Sequence, residues 1–283
     1  MLIFKLYKNE LMEYEDVVRT VVDLFKRAET ELGEDVIKAL KFAYENEENE
    51  VAKMNLKNIL ENIEYAKLNK IPICQDTGLP IIFVEIGKDV CLDFDLRSAI
   101  IEGVRSATKE VPLRPNAVHP ITRENPGDNV GKEMPYISID IVEGDELKIA
   151  VMPKGGGGEN CSALKMMLPH DIDKIKRFVV EVVKNAMGKP CPPIFIGLGI
   201  GSTFDGCAKL AKKALLRDVT EMNEFEMDIL EAVNDLGIGP MGMGGKFTAL
   251  AVLSEVGYTH TSSLPVAVNI QCWANRRAFA VLR

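Results

Sequence analysis

The chain has 283 residues, of which 47% are hydrophobic and 27% are charged, and its formal net charge is −8. This composition is typical of a globular protein that can bury one large core or two modest ones. The acidic balance, without any dense Lys/Arg stripe, argues against nucleic acid as a partner. It leaves an anionic substrate open, because a local site can oppose the net charge.

The start of the sequence, MLIFKLYKNELMEYED, has too short an apolar run for a signal peptide, and no window approaches the ~20 apolar residues of a membrane span. We therefore expect a cytoplasmic protein with no membrane partner. In that compartment structural disulfides are not expected. No CxxC occurs, so any metal site must gather its ligands from distant segments. The six cysteines are Cys74, Cys91, Cys161, Cys191, Cys207 and Cys272, and each could simply be a small buried apolar residue.

Apolar residues at helical spacing predict helices through the first third of the chain, to about Asn69. A strand is predicted over 81–86 and a helix over 95–108. Alternating apolar residues on both sides of Glu143-Gly144-Asp145 predict a β-hairpin formed by 137–141 and 147–151. Later elements are a helix over 171–187, a buried strand over 193–199 and a helix over 218–236.

These elements predict an α+β fold in which a helical N-terminal layer packs on a mixed α/β body with a β-hairpin. The sequence shows no internal repeat and no low-complexity linker. We therefore expect a single domain over 1–283, with a helical lobe over about 1–70 and an α/β body over about 71–283.

Six irregular segments between the elements combine Gly with Arg, His, Asp or Cys, which is how loop-borne sites are usually built. They are Cys74–Gly78, Leu113–Asn116, Lys154–Ser162, Gly197–Ser202, Gly237–Lys246 and His260–Pro265.

Two of the glycine-rich segments invite a nucleotide or phosphate interpretation. Gly237–Gly242 matches GxGxxG, but a helix is predicted before it and Pro240 interrupts the turn, which argues against a nicotinamide site. The run Lys154–Gly158 follows a strand but lacks the GK[ST] ending of a phosphate loop. Its backbone N–H groups could hold a carboxylate or phosphate, or it could be a flexible exit from the hairpin.

The remaining polar candidates are ambiguous by themselves. Asp76 could serve a site or merely cap its turn, and Cys74 could be core. His260 could be catalytic or a structural hydrogen-bonding residue. Arg114 could form a surface salt bridge or offer its planar fork to a carboxylate. Since GxSxG and HExxH are both missing from the sequence, the residues alone indicate a metal-dependent or anion-binding enzyme.

Taken in order, longer strings resemble the class I fumarate hydratases and L-tartrate dehydratases over about residues 58–277. They are CQDTGLP, LRPNAV, MPKGGGGENCSALKMML, CPP followed by an apolar strand and glycines, GIGPMGMGG and SSLPVAVNIQC. The resemblance implies a [4Fe–4S] cluster held by Cys74, Cys191 and Cys272. Three thiolates leave one iron without a protein ligand, and that iron can act as a Lewis acid in a hydro-lyase reaction. Sensitivity to oxygen is expected for the same reason.

The resemblance also implies roles for individual side chains. Gln75 and Asp76 would lie beside the cluster, with Asp76 acting on the substrate hydroxyl or the proton in transit. Arg114 would hold the distal carboxylate of the substrate. Gly155 or its neighbour would offer a backbone N–H, and His260 would complete the carboxylate pocket.

Single-chain members of that family continue into a second domain that supplies further arginines, a lysine and a hydroxyl group, whereas this sequence stops at Arg283. The likeness is therefore to the alpha subunit of the two-subunit form. It implies a separate beta subunit, an alpha–alpha homodimer and a heterotetramer.

The expected reaction is the reversible hydration of fumarate, a small dicarboxylate, to L-malate. Dehydration of L-tartrate to oxaloacetate is the alternative within the class. A non-catalytic iron–sulfur protein for electron transfer or oxygen sensing would need four protein ligands. A plain anion-binding protein would contain no iron.

Overall fold

The computed structural model describes residues 12–283. The helices are α1 (Tyr14–Thr30), α2 (Glu34–Asn46), α3 (Glu50–Asn69), α4 (Leu96–Glu110), α5 (Gly156–Glu159, a single turn), α6 (Ile175–Ala186), α7 (Phe204–Ala214) and α8 (Glu224–Asn234). The strands are β1 (Leu79–Gly87), β2 (Tyr136–Val142), β3 (Leu147–Lys154), β4 (Ala163–Met167), β5 (Ile194–Gly201), β6 (Ala249–Gly257), β7 (Leu264–Gln271) and β8 (Ala278–Leu282). The predicted α+β class is confirmed.

The described residues form two compact units. The first comprises 12–26, 80–151 and 279–283, and the second comprises 27–79 and 152–278. The single domain with lobes meeting near residue 70 stays a prediction. None of the described helices is long and apolar enough to cross a bilayer.

The helices predicted for the first third of the chain are confirmed as α1, α2 and α3. The last of them begins where the Asn49 side chain accepts hydrogen bonds from two backbone N–H groups, and it ends where Lys70 adopts the left-handed conformation. Helix α3 therefore stops just before the loop that carries Cys74.

The first unit contains a four-stranded sheet in the order β2-β1-β3-β8, with β1 and β2 parallel. Both strands of the predicted hairpin exist, but the predicted pairing is wrong, because β1 lies between β2 and β3. The apolar run Pro80–Val84 is buried on both faces, so β1 occupies an inner position, whereas β2 is half exposed and forms an edge. At the end of β1, the Lys88 N–H donates to the Val142 carbonyl and the Asp89 N–H donates to the Gly144 carbonyl.

The second unit is built on a sheet in the order β4-β7-β5-β6, in which β5 runs parallel to β6 and antiparallel to β7. The predicted buried strand is β5. Its even-numbered residues, such as Ile196, pack in one apolar cluster with α6 and α8. Gly197 and Gly199 point to the opposite face, where α7 approaches so closely that an added Cβ would lie 2.0 Å and 2.1 Å from its carbonyl oxygens. The two helical layers thus enclose this sheet.

Two predicted helices of the second unit are shorter than expected. A 3₁₀ turn over Pro169–Lys174 precedes α6, and α8 begins at Glu224 rather than at 218. Asn223 and Glu226 form a capping box at this start. The buried Glu226 carboxylate also accepts hydrogen bonds from Arg217 Nη1 at 2.5 Å and from the Ser254 N–H at 2.6 Å.

Candidate active site

The three predicted cluster ligands lie on three loops of the second unit. Cys74 lies between α3 and β1, Cys191 lies just before β5, and Cys272 directly follows β7. Because Phe195 pairs with Gln271 in the antiparallel register, the start of β5 and the end of β7 meet at one end of the sheet. The Trp273 N–H donates to the Cys191 carbonyl at 3.3 Å and joins two of the loops.

Burial is the largest influence on the pKa of two of these thiols. Burial raises the pKa of Cys191, and the neighbouring charges of Cys74 and Asp76 raise it further. Burial also raises the pKa of Cys272, where Arg276 and Lys154 act in the opposite direction and Cys74 adds to the rise. The charge of Cys74 thus shifts the pKa of both other predicted ligands upward.

The donor set can be tested against the kind of metal it could hold. Across residues 12–283, no three His, Cys, Asp or Glu side chains converge closely enough to bind a single metal ion. A cluster makes a different demand, because each thiolate binds a different iron and the inorganic core keeps the sulfurs apart. Three free thiols on converging loops fit a cluster in type and number.

The Cys191 loop is supported by the segment that formally matched GxGxxG. That segment follows helix α8, as predicted, and turns through the 3₁₀ segment Pro240–Gly242. The Met241 N–H donates to the Pro192 carbonyl at 2.7 Å, directly beside Cys191. Gly242 packs against Gly188, and a Cβ added to Gly242 would lie 2.8 Å from the Gly188 Cα. These contacts give the segment a structural role in the second unit.

Asp76 connects the Cys74 turn to the glycine run. Its Oδ1 accepts the Gly78 N–H at 3.0 Å, as in a capped turn, and its Oδ2 accepts the Gly156 N–H at 2.8 Å. The glycine run forms the helical turn α5, so it is an ordered element rather than a flexible exit. The predicted backbone donor was Gly155 or its neighbour, and in this structure the Gly156 N–H is donated to Asp76.

Lys154 and Glu159 bracket the glycine run and form a polar network that the sequence did not suggest. Lys154 is fully buried and its Nζ donates to the Ile270 carbonyl at 2.6 Å. Burial lowers the pKa of Lys154 to about 8, although Glu159 opposes this shift. Burial opposes ionisation of Glu159 too, but Lys212 and Lys154 outweigh it and lower the pKa of Glu159. Lys212 Nζ lies 2.5 Å from Glu159 Oε1.

A second buried pair lies on the other side of Cys272 in the sequence. Arg276 Nη1 donates to Glu29 Oε2 at 2.6 Å, and both residues are at most 1% exposed. Burial raises the pKa of Glu29 to about 7, with Arg276 opposing the shift. The sequence predicted neither pair, because charged residues normally lie on the surface. The available signals were that Lys154 lies within one of the strings that carry the family resemblance and that Arg276 follows the last of them by four residues.

His260 lies at the opposite end of the sheet from Cys191 and Cys272. It is an exposed residue of the loop between β6 and β7, and the neighbouring Thr259 hydroxyl donates to the Ser202 carbonyl at the far end of β5. The eight residues of β5 span about 23 Å at roughly 3.3 Å per residue, with Cys191 at the opposite end. The structure therefore does not bring His260 together with Cys191 and Cys272. His260 Nδ1 accepts the Ser262 N–H at 3.2 Å, which places the proton of the neutral ring on Nε2.

The other predicted substrate residues occupy exposed loops. Gln75 lies beside Cys74 in the second unit. Arg114 belongs to the first unit, where its carbonyl accepts a hydrogen bond from the Asn129 side chain at 3.0 Å. The roles of Gln75 and Arg114 stay predictions.

The three cysteines outside the predicted ligand set differ in environment. Cys91 is exposed and Cys161 is half-buried near the end of the glycine run. Cys207 is fully buried on α7, and burial raises the pKa of its thiol to about 11. Its Sγ–H donates to the Gly199 carbonyl at 3.2 Å. Cys207 is therefore a core residue, as expected for a cysteine outside the ligand set.

The fold and these loops define an α+β protein that can present three thiolates to a metal cofactor from one end of a sheet. The chain belongs to the fumarate hydratase (Fumerase) family, whose model matches residues 18–281. The predicted family and the predicted enzyme class, hydro-lyase, are confirmed.

Individual relatives match this chain over nearly its whole length. A provisionally named L(+)-tartrate dehydratase subunit alpha of Methanocaldococcus jannaschii is 51% identical over 278 residues, which cover 94% of this chain and 96% of that protein. The L(+)-tartrate dehydratase subunit alpha of Escherichia coli strain K12 is 31% identical over 278 residues, covering 95% and 91%. A provisionally named class I fumarate hydratase of Geobacillus stearothermophilus is 35% identical over 282 residues, which cover 93% of this chain but 54% of that protein. The chain thus spans about half the length of that last relative.

Proposed function

We propose that this chain is the alpha subunit of a [4Fe–4S]-dependent hydro-lyase that reversibly hydrates fumarate to L-malate. The observation that carries the proposal is that the Cys191 and Cys272 loops meet at one end of a sheet, and that the turn carrying Cys74 and Asp76 contacts the glycine run, which Arg276 also approaches. Class I fumarate hydratases are in general iron–sulfur dependent. All six cysteines are free thiols, which supports a cytoplasmic location.

The cluster would be held by the three thiolates alone. When bound, it supplies an iron without a protein ligand as a Lewis acid for the hydroxyl and one carboxylate of the substrate. A dedicated electron carrier would call for a fourth protein ligand, and the three-thiol set favours the catalytic interpretation. Gln75, which neighbours Cys74, would contact the substrate beside the cluster.

Asp76 would act on the substrate hydroxyl or on the proton in transit. Its two backbone hydrogen bonds, from Gly78 and Gly156, hold the carboxylate in one orientation before any substrate arrives, which lowers the cost of ordering it. A substrate carboxylate that takes a hydrogen bond from the glycine run would use Gly155 or would displace Asp76 from Gly156. Arg114 would bind the distal carboxylate through its planar fork.

A separate beta subunit would complete the active site. Two of the relatives are named as alpha subunits, and the matched region is 54% of the single-chain relative. A beta subunit would supply the equivalent of the rest of that relative, and the catalytic base with it. We predict that the purified chain alone shows little or no hydratase activity and that adding the beta subunit restores it. Strong turnover by the chain alone would contradict this assignment.

His260 would serve the active site of a second copy of the chain. Its loop lies about 23 Å along β5 from Cys191, so it cannot complete the pocket beside its own cysteines. An alpha–alpha homodimer within a heterotetramer would bring the His260 loop of one copy to the cysteines of the other. Mixing a His260→Ala chain with a Cys272→Ala chain, each inactive with the beta subunit, tests this. Hybrid dimers should regain activity at one of their two sites, whereas an arrangement confined to one chain would give none.

L-tartrate is the second candidate substrate, because two relatives matched over almost their whole length are named L(+)-tartrate dehydratase alpha subunits. The family model is described as fumarate hydratase and covers residues 18–281, which supports fumarate. We expect the alpha–beta enzyme to turn over L-malate with a higher kcat/KM than L-tartrate. The opposite ratio, measured on one preparation, would reassign the substrate and leave the chemistry unchanged.

The cluster itself is tested by iron and acid-labile sulfide content after anaerobic reconstitution. We expect about four irons and four sulfides per wild-type chain, with loss in Cys74→Ala, Cys191→Ala and Cys272→Ala. Cys91→Ala is the matched control, because Cys91 is an exposed thiol outside the proposed ligand set, and it should bind iron like the wild type. A wild-type chain without a cluster would refute the proposed function.

A further inference from the structure

Two buried cations lie on either side of Cys272, and neither is accounted for by the ligand set. Lys154 is 0% exposed and Arg276 is 1% exposed. Removing a cation from water costs several kcal/mol unless nearby charges and hydrogen bonds compensate. The burial of both cations must therefore be compensated by interactions within the protein.

Lys154 holds the end of the strand that leads into Cys272. Its Nζ donates to the carbonyl of Ile270 at 2.6 Å and lies 3.6 Å from Glu159 Oε2. The glycine run passes close to this hydrogen bond, because a Cβ added to Gly158 would lie 2.3 Å from the Ile270 carbonyl oxygen and 2.9 Å from Lys154 Nζ. Position 158 therefore requires glycine, and the backbone just before Cys272 is fixed by a buried ammonium group.

Arg276 holds the other side of the same segment. The Ala274 carbonyl accepts both the Arg276 backbone N–H at 2.8 Å and the Cys272 thiol at 3.7 Å. On the glycine run, a Cβ added to Gly155 would lie 3.7 Å from Arg276 Nη2 and 3.2 Å from Asp76 Oδ2. The guanidinium group thus lies among the loops that carry Cys272 and Asp76.

The ion pair with Glu29 does not exhaust the hydrogen-bonding capacity of this arginine. Among residues 12–283, neither Arg276 Nε nor Glu29 Oε1 has a hydrogen-bond partner, although both atoms are buried. Burial alone would lower the pKa of Arg276, but Glu29, then Cys272, and more weakly Cys74 raise it. A buried guanidinium with an unused donor, on the loop that carries Cys272 and next to the turn that carries Cys74 and Asp76, points to an anionic group held by these loops.

We infer that Arg276, held in place by Glu29, is a positioning residue that compensates the negative charge of the cluster and its three thiolates. This inference rests on the proposed cluster. A fixed positive charge near the thiolates stabilises the more negative, reduced state of the cluster more than the oxidised state. It also favours retention of the iron, because it offsets the repulsion among three thiolates in a partly buried site.

Charge compensation predicts effects of opposite sign for the two members of the pair. Arg276→Met removes the cation and should lower the equilibrium constant for one-electron reduction of the cluster about tenfold, which is 59 mV. Glu29→Gln leaves the cation unopposed and should raise that constant. Arg276→Lys keeps the charge and should lie close to the wild type. A purely structural role would give no such reversal of sign.

The adjacent residue provides a matched control. Arg277 is also buried and also paired with a carboxylate, that of Asp35, and it donates to the Arg217 carbonyl at 3.0 Å. Arg277→Met therefore removes a neighbouring buried ion pair of the same chain without removing the cation beside Cys272.

The experiment measures anaerobically reconstituted full-length chains by redox titration with electron paramagnetic resonance, and by the rate of iron loss to a chelator. We expect Arg276→Met to lose iron several-fold faster than Arg277→Met and to shift the potential downward, with Glu29→Gln shifting it upward. Equal rates of iron loss and equal potentials in the two methionine variants would overturn the inference. Potential shifts of the same sign in Arg276→Met and Glu29→Gln would also overturn it. In either case, a wild-type chain that binds the cluster would leave the proposed function standing. A wild-type chain that takes up no cluster would refute both the inference and the proposed function.

Discussion

The hydrogen bond from Gly156 to Asp76 can be removed by a change of one atom. Asp76→Asn keeps the size of the side chain and one acceptor oxygen, which can still accept the Gly78 N–H. The amide nitrogen that replaces the second oxygen cannot accept the Gly156 N–H, now 2.8 Å from Oδ2. The substitution should therefore release the start of α5 while the Cys74 turn remains capped.

The expected size follows from the kind of bond. A hydrogen bond to a charged group contributes about 1.5–3 kcal/mol, and the lower end applies because Asp76 is half-buried and the Gly156 backbone is exposed. A loss of about 1.4 kcal/mol corresponds to a tenfold change in a local opening equilibrium. Amide hydrogens of α5 should therefore exchange with solvent deuterium roughly ten times faster in the variant.

Hydrogen–deuterium exchange of the cluster-free chain measures this directly, without any dependence on catalysis. Asp218→Asn is the matched control, because the Asp218 carboxylate caps a turn of the same unit by accepting the Thr220 N–H at 2.8 Å. It should leave α5 protected. Unchanged exchange at Gly156 in Asp76→Asn, or equal acceleration in both variants, would refute the idea that Asp76 holds the glycine run.

Three further predictions concern buried residues of the second unit, two of them with a comparison residue in the first. Burial opposes ionisation of Glu226, but Arg217 and other donors lower its pKa below 4.5, so its stabilising effect is present above about pH 4.5 and is lost as the pH falls through the lower native value. Urea unfolding should show Glu226→Gln destabilised by about 3 kcal/mol at pH 7, with a smaller difference in acid. Gly197→Ala should lower stability by about 1–3 kcal/mol or prevent folding, because its Cβ would lie 2.0 Å from a carbonyl oxygen of α7, whereas Gly131→Ala, with open space around it, should not. In alkylation at neutral pH, the exposed Cys91 should react and Cys207, with a pKa of about 11, should react only on unfolding.

Periodicity in the sequence predicted which helices and strands exist more reliably than it predicted which strands pair with each other. The helical spacing that predicted α1 to α4 reports which face of a helix is buried, and this depends on local residues. The alternation in β2 and β3 is equally real, but it reports only that each strand has a buried face. Whether β2 and β3 pair with each other depends on whether a third strand occupies the position between them. Strand β1 occupies that position because its apolar run Pro80–Val84 is buried on both faces.

Elements without a clear period were missed. Strand β7 is buried at every residue, so it shows no alternation. The buried residues of α7 are the small Cys207, Ala211 and Ala214, because glycines of β5 bring the two backbones close together. For the site, the resemblance indicated the three cysteines, and the structure added Lys154, Arg276 and Glu29. Their burial depends on partners that are distant in sequence, such as Glu29 for Arg276, 247 positions away.

Separation along the chain has a different meaning in a strand than in a loop, and this difference organises the proposed site. Twelve positions separate His260 from Cys272, and β7 runs between them as a fully buried strand of eight residues, which carries the two about 23 Å apart. Four positions separate Cys272 from Arg276, and the intervening loop turns on the Ala274 carbonyl, which accepts hydrogen bonds from both residues. Arg276 therefore stays on the same short loop as Cys272, whereas His260 lies at the opposite end of the sheet. Under the proposed function, a single chain built in this way would compensate the charge of its own cluster, whereas its histidine would serve the site of another copy.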